Sequence, residues 1–133
     1  MTEKMFKRVS PLIAHLAWCC YQMGQKQPFN VVPKAWQTKS LNDAAAYFWE
    51  NPKVTPRKMH SNWMQFKLKE GWTYGKTKNP KTKKHPCIAA WDSLPAEERN
   101  KDVQHIMAQR VAMVIAYLVT SKINSEKAGV LAK

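Results

Sequence analysis

Apolar positions recur along this chain with helical spacing, in runs separated by proline and glycine signals. Ser10-Pro11 sets a capping hydroxyl before a proline at the first helical position. Leu12, Leu16, Cys19, Cys20 and Met23 then fall on one face, and Gly24 stands where a helix ends. A loop over 25–32 follows, then a second helix from Pro33 to Glu50 with Trp36, Ala44, Tyr47 and Phe48 available to a core. Asn51-Pro52 ends it, because the residue before proline avoids helical geometry. Thr55-Pro56 repeats the capping signal for a third helix, with Met59, Trp63 and Phe66 on one face and Gly71 closing it. Trp72 to Gly75 alternates like a short strand, and His85 to Trp91 reads as its hairpin partner across a lysine-rich loop. Leu94-Pro-Ala-Glu-Glu98 opens a last helix, whose stripe of Val103, Ile106, Met107, Arg110, Val111, Val114, Ile115 and Leu118 continues to about Lys122.

The pattern predicts a mainly α, small single-domain bundle of about four helices, with a short β-hairpin between the third and last. Residues 10–52 form a helical pair, 55–122 a second unit, and 1–9 and 123–133 tails. Within 133 residues an apolar share of 44% suffices for a core without disulfides or metal. Three cysteines, two of them adjacent, fit a reducing compartment. The first residues make a poor secretory signal, and no uninterrupted apolar run reaches the roughly 18–20 residues of a membrane span. The expectation is a cytoplasmic protein with no membrane partner.

Charge changes the picture more than size does. The formal net charge is +13, and the segment from Lys53 to Lys84 holds ten basic residues against Glu70 alone. Such an excess favours polyanions: nucleic acid, phosphorylated small molecules or an acidic surface. No catalytic motif accompanies it. The four glycines are scattered, and the histidines and cysteines lack zinc spacing, so neither an enzyme, a cofactor nor a metal site is expected.

Aromatics lie among the lysines. Trp63, Phe66, Trp72 and Tyr74 interleave with Lys67, Lys69, Lys76 and Lys78. An exposed indole offers a stacking face to a purine, worth about 1–3 kcal/mol per base. Lys67 lies one helical turn beyond Trp63, within about 6 Å at Cβ, where an ammonium can meet a phosphate on that purine. Spacing alone equally allows Trp63 to fill the core beside Met59 and Phe66. Trp36, Trp49 and Trp91 are read as core. The loop from Lys76 to Lys84, with Lys78, Lys81 and Lys83, is either a solvated tip or a basic lid over an anion.

The segments His60-Ser-Asn-Trp63, Gly71-Trp-Thr-Tyr-Gly75, His85-Pro-Cys-Ile88 and Leu94-Pro-Ala-Glu-Glu-Arg99 occur in an order and spacing that resemble the ryanodine-receptor repeat, or RyR domain. With the two preceding helices the chain resembles free-standing bacterial and bacteriophage members. The resemblance implies a non-enzymatic module holding an adenine nucleotide, with Trp63 stacking the base and Lys67 facing the phosphates. Trp72, Tyr74, Lys84 and His85 are secondary ligand candidates. It further implies a sensor or sponge for a nucleotide-derived immune signal, such as a cyclic ADP-ribose relative or a cyclic oligonucleotide, in a bacterial host cell. Because the channel pairs its repeats, a homodimer or higher homo-oligomer is one way to complete the pocket. The alternatives are a basic nucleic-acid-binding accessory protein and a module that blocks an acidic host protein.

Overall fold

In the computed structural model, residues 1–132 are described, with side-chain surroundings through 130. Four helices dominate: α1 (Thr2–Gly24), α2 (Ala35–Glu50), α3 (Pro56–Lys69) and α4 (Ala96–Ala132). Two-residue strands β1 (Thr73–Tyr74) and β2 (Lys84–His85) and a 3-10 turn at Trp91–Ser93 lie between α3 and α4. The chain is a mainly α single domain, as its pattern predicts.

Where local signals are chemical, the elements match. Thr55 accepts a hydrogen bond from the Lys58 amide at 3.2 Å with Pro56 in the first turn, and Gly71 takes a φ of +89° to leave α3. Where burial decides, three expectations need correction. The first concerns the amino-terminal tail: residues 2–9 are helical, and Pro11 lies inside α1 rather than at its start. Phe6 explains this, because it is fully buried against Phe48 and Trp49, at ring distances of 5.9 and 5.6 Å. Packing of that ring outweighs the local stop signal.

The second correction concerns which faces are inside. Leu12, Leu16 and Met23 of α1, and Val103, Met107, Val111, Val114 and Leu118 of α4, are exposed. The buried faces carry small residues instead: Ser10 and Ala14 on α1, and Ala108, Ala112 and Ala116 on α4. Small side chains let helices approach closely, and these two share the most extensive contact in the fold, fixed by a buried hydrogen bond from Ser10 Oγ to Gln109 Oε1. Phe6, Phe48, Met59 and Ile106 fill the space where α2 and α3 close over the pair.

The third correction is to the hairpin. β1 and β2 pair in parallel, Thr73 with Lys84 and Tyr74 with His85. The lysine loop contains its own reversal, an antiparallel bridge between Asn79 and Lys84 with Lys83 at a φ of +54°. Two reversals restore the original direction, so the returning strand runs alongside β1.

α4 is also longer than expected, remaining helical from Ile123 to Ala132; Lys133 lies outside the described residues. Within Ala96–Val130 it is long and apolar enough to cross a membrane by length and composition. Single polar residues such as Gln109 and Arg110 hide that stretch from a search for unbroken apolar runs.

Candidate ligand-binding cavity

A cavity of about 850 Å³ opens between the carboxyl-terminal half of α1, α2, α3, the lysine loop and the start of α4. Its size lies in the upper part of the roughly 300–1,000 Å³ range of small-molecule sites. Trp63 lines it, half-buried, and is not part of the buried core cluster. Its ring meets His60 at 5.6 Å and His85 at 5.1 Å, and His85 in turn lies 6.1 Å from Trp72. These contacts set Trp63 and Trp72 on either side of one imidazole, leaving the indoles as walls of the cavity.

Lys67 is the least expected residue of the site. It is 5% exposed, yet among the described residues its ammonium meets no carboxylate or carbonyl. Instead Nζ lies 5.0 Å from the Trp36 ring centre, 5.2 Å from Trp72 and 5.9 Å from Phe66. Three ring faces offer a partial negative surface to the charge without neutralising it. Lys78 brings a second ammonium to the other approach, 5.4 Å from Trp36. Burial lowers the pKa of both lysines; for Lys67 the nearby Glu70 carboxylate works against that fall and Lys78 adds to it by a smaller amount. Two cations in an apolar-walled recess form a site whose electrostatics improve when an anion enters.

His85 is neutral here: burial, then Lys78 and Lys67, press its pKa down to about 4. Its Nδ1 accepts from the Cys87 amide at 3.0 Å, so the ring proton resides on Nε2. Burial, and then Glu98, push the Cys87 thiol up to about 12, and that thiol donates to Glu98 at 3.3 Å. Burial works against the Glu98 carboxylate, but hydrogen bonds from Lys101 and Cys87 keep its pKa below the ordinary value. Behind Trp63, His60 donates through Nε2 to the Ala89 carbonyl at 3.0 Å, and its Nδ1 stands 3.6 Å from Asp102. Burial raises Asp102 to about 6 despite that imidazole.

Of the residues singled out in the sequence, Trp63, Lys67, Trp72, His85, Lys78 and Lys83 reach the cavity. Tyr74 and Lys84 do not line it: Tyr74 is exposed, and Lys84 Nζ donates to Thr73 Oγ1 at 2.7 Å. Lys83 is engaged by the Glu70 carbonyl at 2.6 Å, while Lys76 and Lys81 are exposed outside the lining. Sequence reasoning missed Trp36, which was read as core. It is 49% exposed and supplies the face nearest Lys67. It also missed Trp18, Tyr21 and Asp43, which come from α1 and α2. The only signal for Trp36 is its place in the first turn of α2, flanked at a short distance by Lys34 and Lys39. Among the described residues no three metal-binding side chains converge.

The family model for the RyR domain matches residues 51–121, which takes in α3, both strands and most of α4. The α1 and α2 walls of the cavity lie outside the matched stretch.

Proposed function

This chain belongs to the RyR domain family, and from that premise we propose that it is a non-enzymatic binding module for an adenine-containing, phosphate-bearing small molecule. The observation that carries the reading is the buried Lys67 ammonium, held by aromatic faces and facing open volume beside Lys78. A ligand phosphate supplies the missing counter-charge, and charge-assisted contacts of that kind are about twice as strong as neutral ones. Trp63 gives the base a stacking face one helical turn away. Glu98 and Asp102, on the α4 side of the same cavity, disfavour a long polyphosphate or a nucleic-acid strand running through it.

α1 and α2 contribute walls of the cavity, which supports a pocket carried by a single chain in this reading. The role that fits is reception or sequestration of a nucleotide-derived signal, as in the phage–host conflict systems of free-standing relatives. The nucleic-acid alternative is weaker, since Lys83 and Lys84 of the loop are committed to internal hydrogen bonds.

The test is thermal stability against a panel of adenine mononucleotides, cyclic dinucleotides and cyclic ADP-ribose. A ligand at 100 times its dissociation constant adds about 2.7 kcal/mol to wild type, and Trp63→Ala loses the gain. No shift with any of them, or equal shifts in both proteins, overturns the reading.

A further inference from the structure

Ser10 of α1 and Gln109 of α4 stand 99 residues apart in the chain, yet their side chains meet where those helices close, and both are wholly buried. Ser10 Oγ donates to Gln109 Oε1, which leaves the amide nitrogen of Gln109 facing His105, 3.1 Å from its Nε2. Neither Ser10 nor Gln109 lines the cavity, but His105 does. From this chain of contacts we infer that His105 is a specificity-determining residue of the binding site, donating from Nδ1 to a neutral acceptor on the ligand, with Ser10 and Gln109 as the positioning residues that put the proton there. The inference rests on the binding reading above and extends it to the uncharged part of the ligand.

An amide nitrogen only donates, so the imidazole nitrogen that faces it carries a lone pair. Burial lowers the His105 pKa to about 4, which keeps the ring neutral near pH 7. A neutral imidazole has one lone pair and one N–H, and the proton of His105 therefore resides on Nδ1. The surrounding network assigns both the orientation of an amide and the tautomer of a histidine. Ser10 sets the sense of this one: its hydroxyl engages the Gln109 carbonyl oxygen and leaves the nitrogen for the ring.

Nδ1 has no hydrogen-bond partner among the described residues, and it is not one of their fully enclosed polar atoms that lack a partner. It is a donor that can be reached from the cavity the ring lines. Glu98, Asp102 and His105 follow one another along the α4 wall at steps of four and three residues, on one helical face. Two of these are carboxyl groups, which accept hydrogen bonds and repel phosphate; the imidazole offers an uncharged donor. Lys67 and Lys78 attract any anion of suitable size, whereas a placed neutral donor tells ligands apart. A site built to hydrogen-bond one atom disfavours the analogue lacking it, because the donor is then left unpaired. A purine ring nitrogen and a ribose oxygen both offer that acceptor.

Two readouts test this. Long-range proton–nitrogen NMR of the full chain without ligand at pH 7 shows His105 protonated on Nδ1, and Ser10→Ala moves the population toward Nε2–H although Ser10 touches no part of the cavity. Titration with adenosine diphosphate, its 1-, 3- and 7-deaza analogues and its 2′- and 3′-deoxy analogues then reads the contact itself. One analogue binds wild type about tenfold more weakly than the parent, and His105→Phe weakens the parent by a similar factor while leaving that analogue unaffected. A deaza analogue identifies a ring nitrogen, and a deoxy analogue a ribose oxygen. The tautomer and the analogue series are both read on wild type, so the outcome does not depend on a variant folding. Wild-type His105 in the Nε2–H form, or equal affinity for the parent and every analogue, overturns the inference and leaves the wider reading standing. No binding of adenosine diphosphate by wild type overturns both.

Discussion

The Lys67 ammonium lies 5.0 Å above the ring of Trp36, and this contact joins α3 to α2 across the mouth of the cavity. It keeps a nearly buried cation in place without neutralising it. Both consequences, a stability cost in the free protein and a site for an anion, follow from the same pair.

Replacing Lys67 with methionine keeps the length and apolar contacts of the stem and removes the charge. The free protein becomes more stable by about 1 kcal/mol, because an unpaired buried charge is costly. Chemical denaturation of the two proteins without ligand measures this. A destabilised Lys67→Met shows that the three ring faces already repay the burial.

Stability depends on pH through buried histidines. His85 and His105 both have their pKa values lowered to about 4 by burial, so between pH 4 and 6.5 the unfolded chain binds more protons and stability rises with pH. Asp102, raised to about 6 by burial, acts oppositely between pH 4 and 6, and two histidines outweigh one carboxyl. Urea unfolding at pH 4.5, 5.5 and 7 gives a rising series that flattens above 6.5. His85→Asn makes the rise shallower, and an unchanged slope refutes the assignment.

Gly75 is required by the close approach of the two strands. A Cβ there would stand 2.5 Å from the Lys84 Cβ, which is anchored to backbone and cannot swing away. Gly75→Ala therefore costs about 1–3 kcal/mol, read from the thermal midpoint, and shifts His85 on β2. An unchanged midpoint contradicts the parallel register.

Cysteine reactivity follows burial. Cys20 is exposed, Cys19 is buried, and Cys87 is held as a thiol by its high pKa. Iodoacetamide at pH 7.5 labels Cys20 first, as peptide mass spectrometry reports. Early labelling of Cys87 shows that the Glu98 contact is broken in solution.

Much of this was legible in the sequence where one residue type has one physical use. Thr55-Pro56 caps a helix and Gly71 ends it, and Trp63 and Lys67 emerge as a pair from spacing alone. Faces of helices were harder. The largest apolar residues of α1 and α4 point outward because the interface between these helices is built from serine and alanine, which a search for large side chains overlooks. Trp36 was hidden for the opposite reason: a tryptophan reads as core, and only the fold brings it over a lysine thirty-one residues later. The parallel strand pair depends on a second reversal at Asn79–Lys84; Asn79-Pro80 is a turn signal there, with Asn79 Oδ1 accepting from the Lys81 amide at 3.0 Å, but strands of two residues carry no pattern that tells the direction of pairing.

Calorimetric titration of wild type and Lys67→Met with adenosine and with adenosine diphosphate tests the central claim most directly, since it removes the ammonium and the phosphate separately. The account predicts that Lys67→Met weakens the diphosphate by about tenfold or more and leaves adenosine nearly unaffected, a coupling between the two charges. Equal losses for both ligands, or no binding of either by wild type, would contradict it.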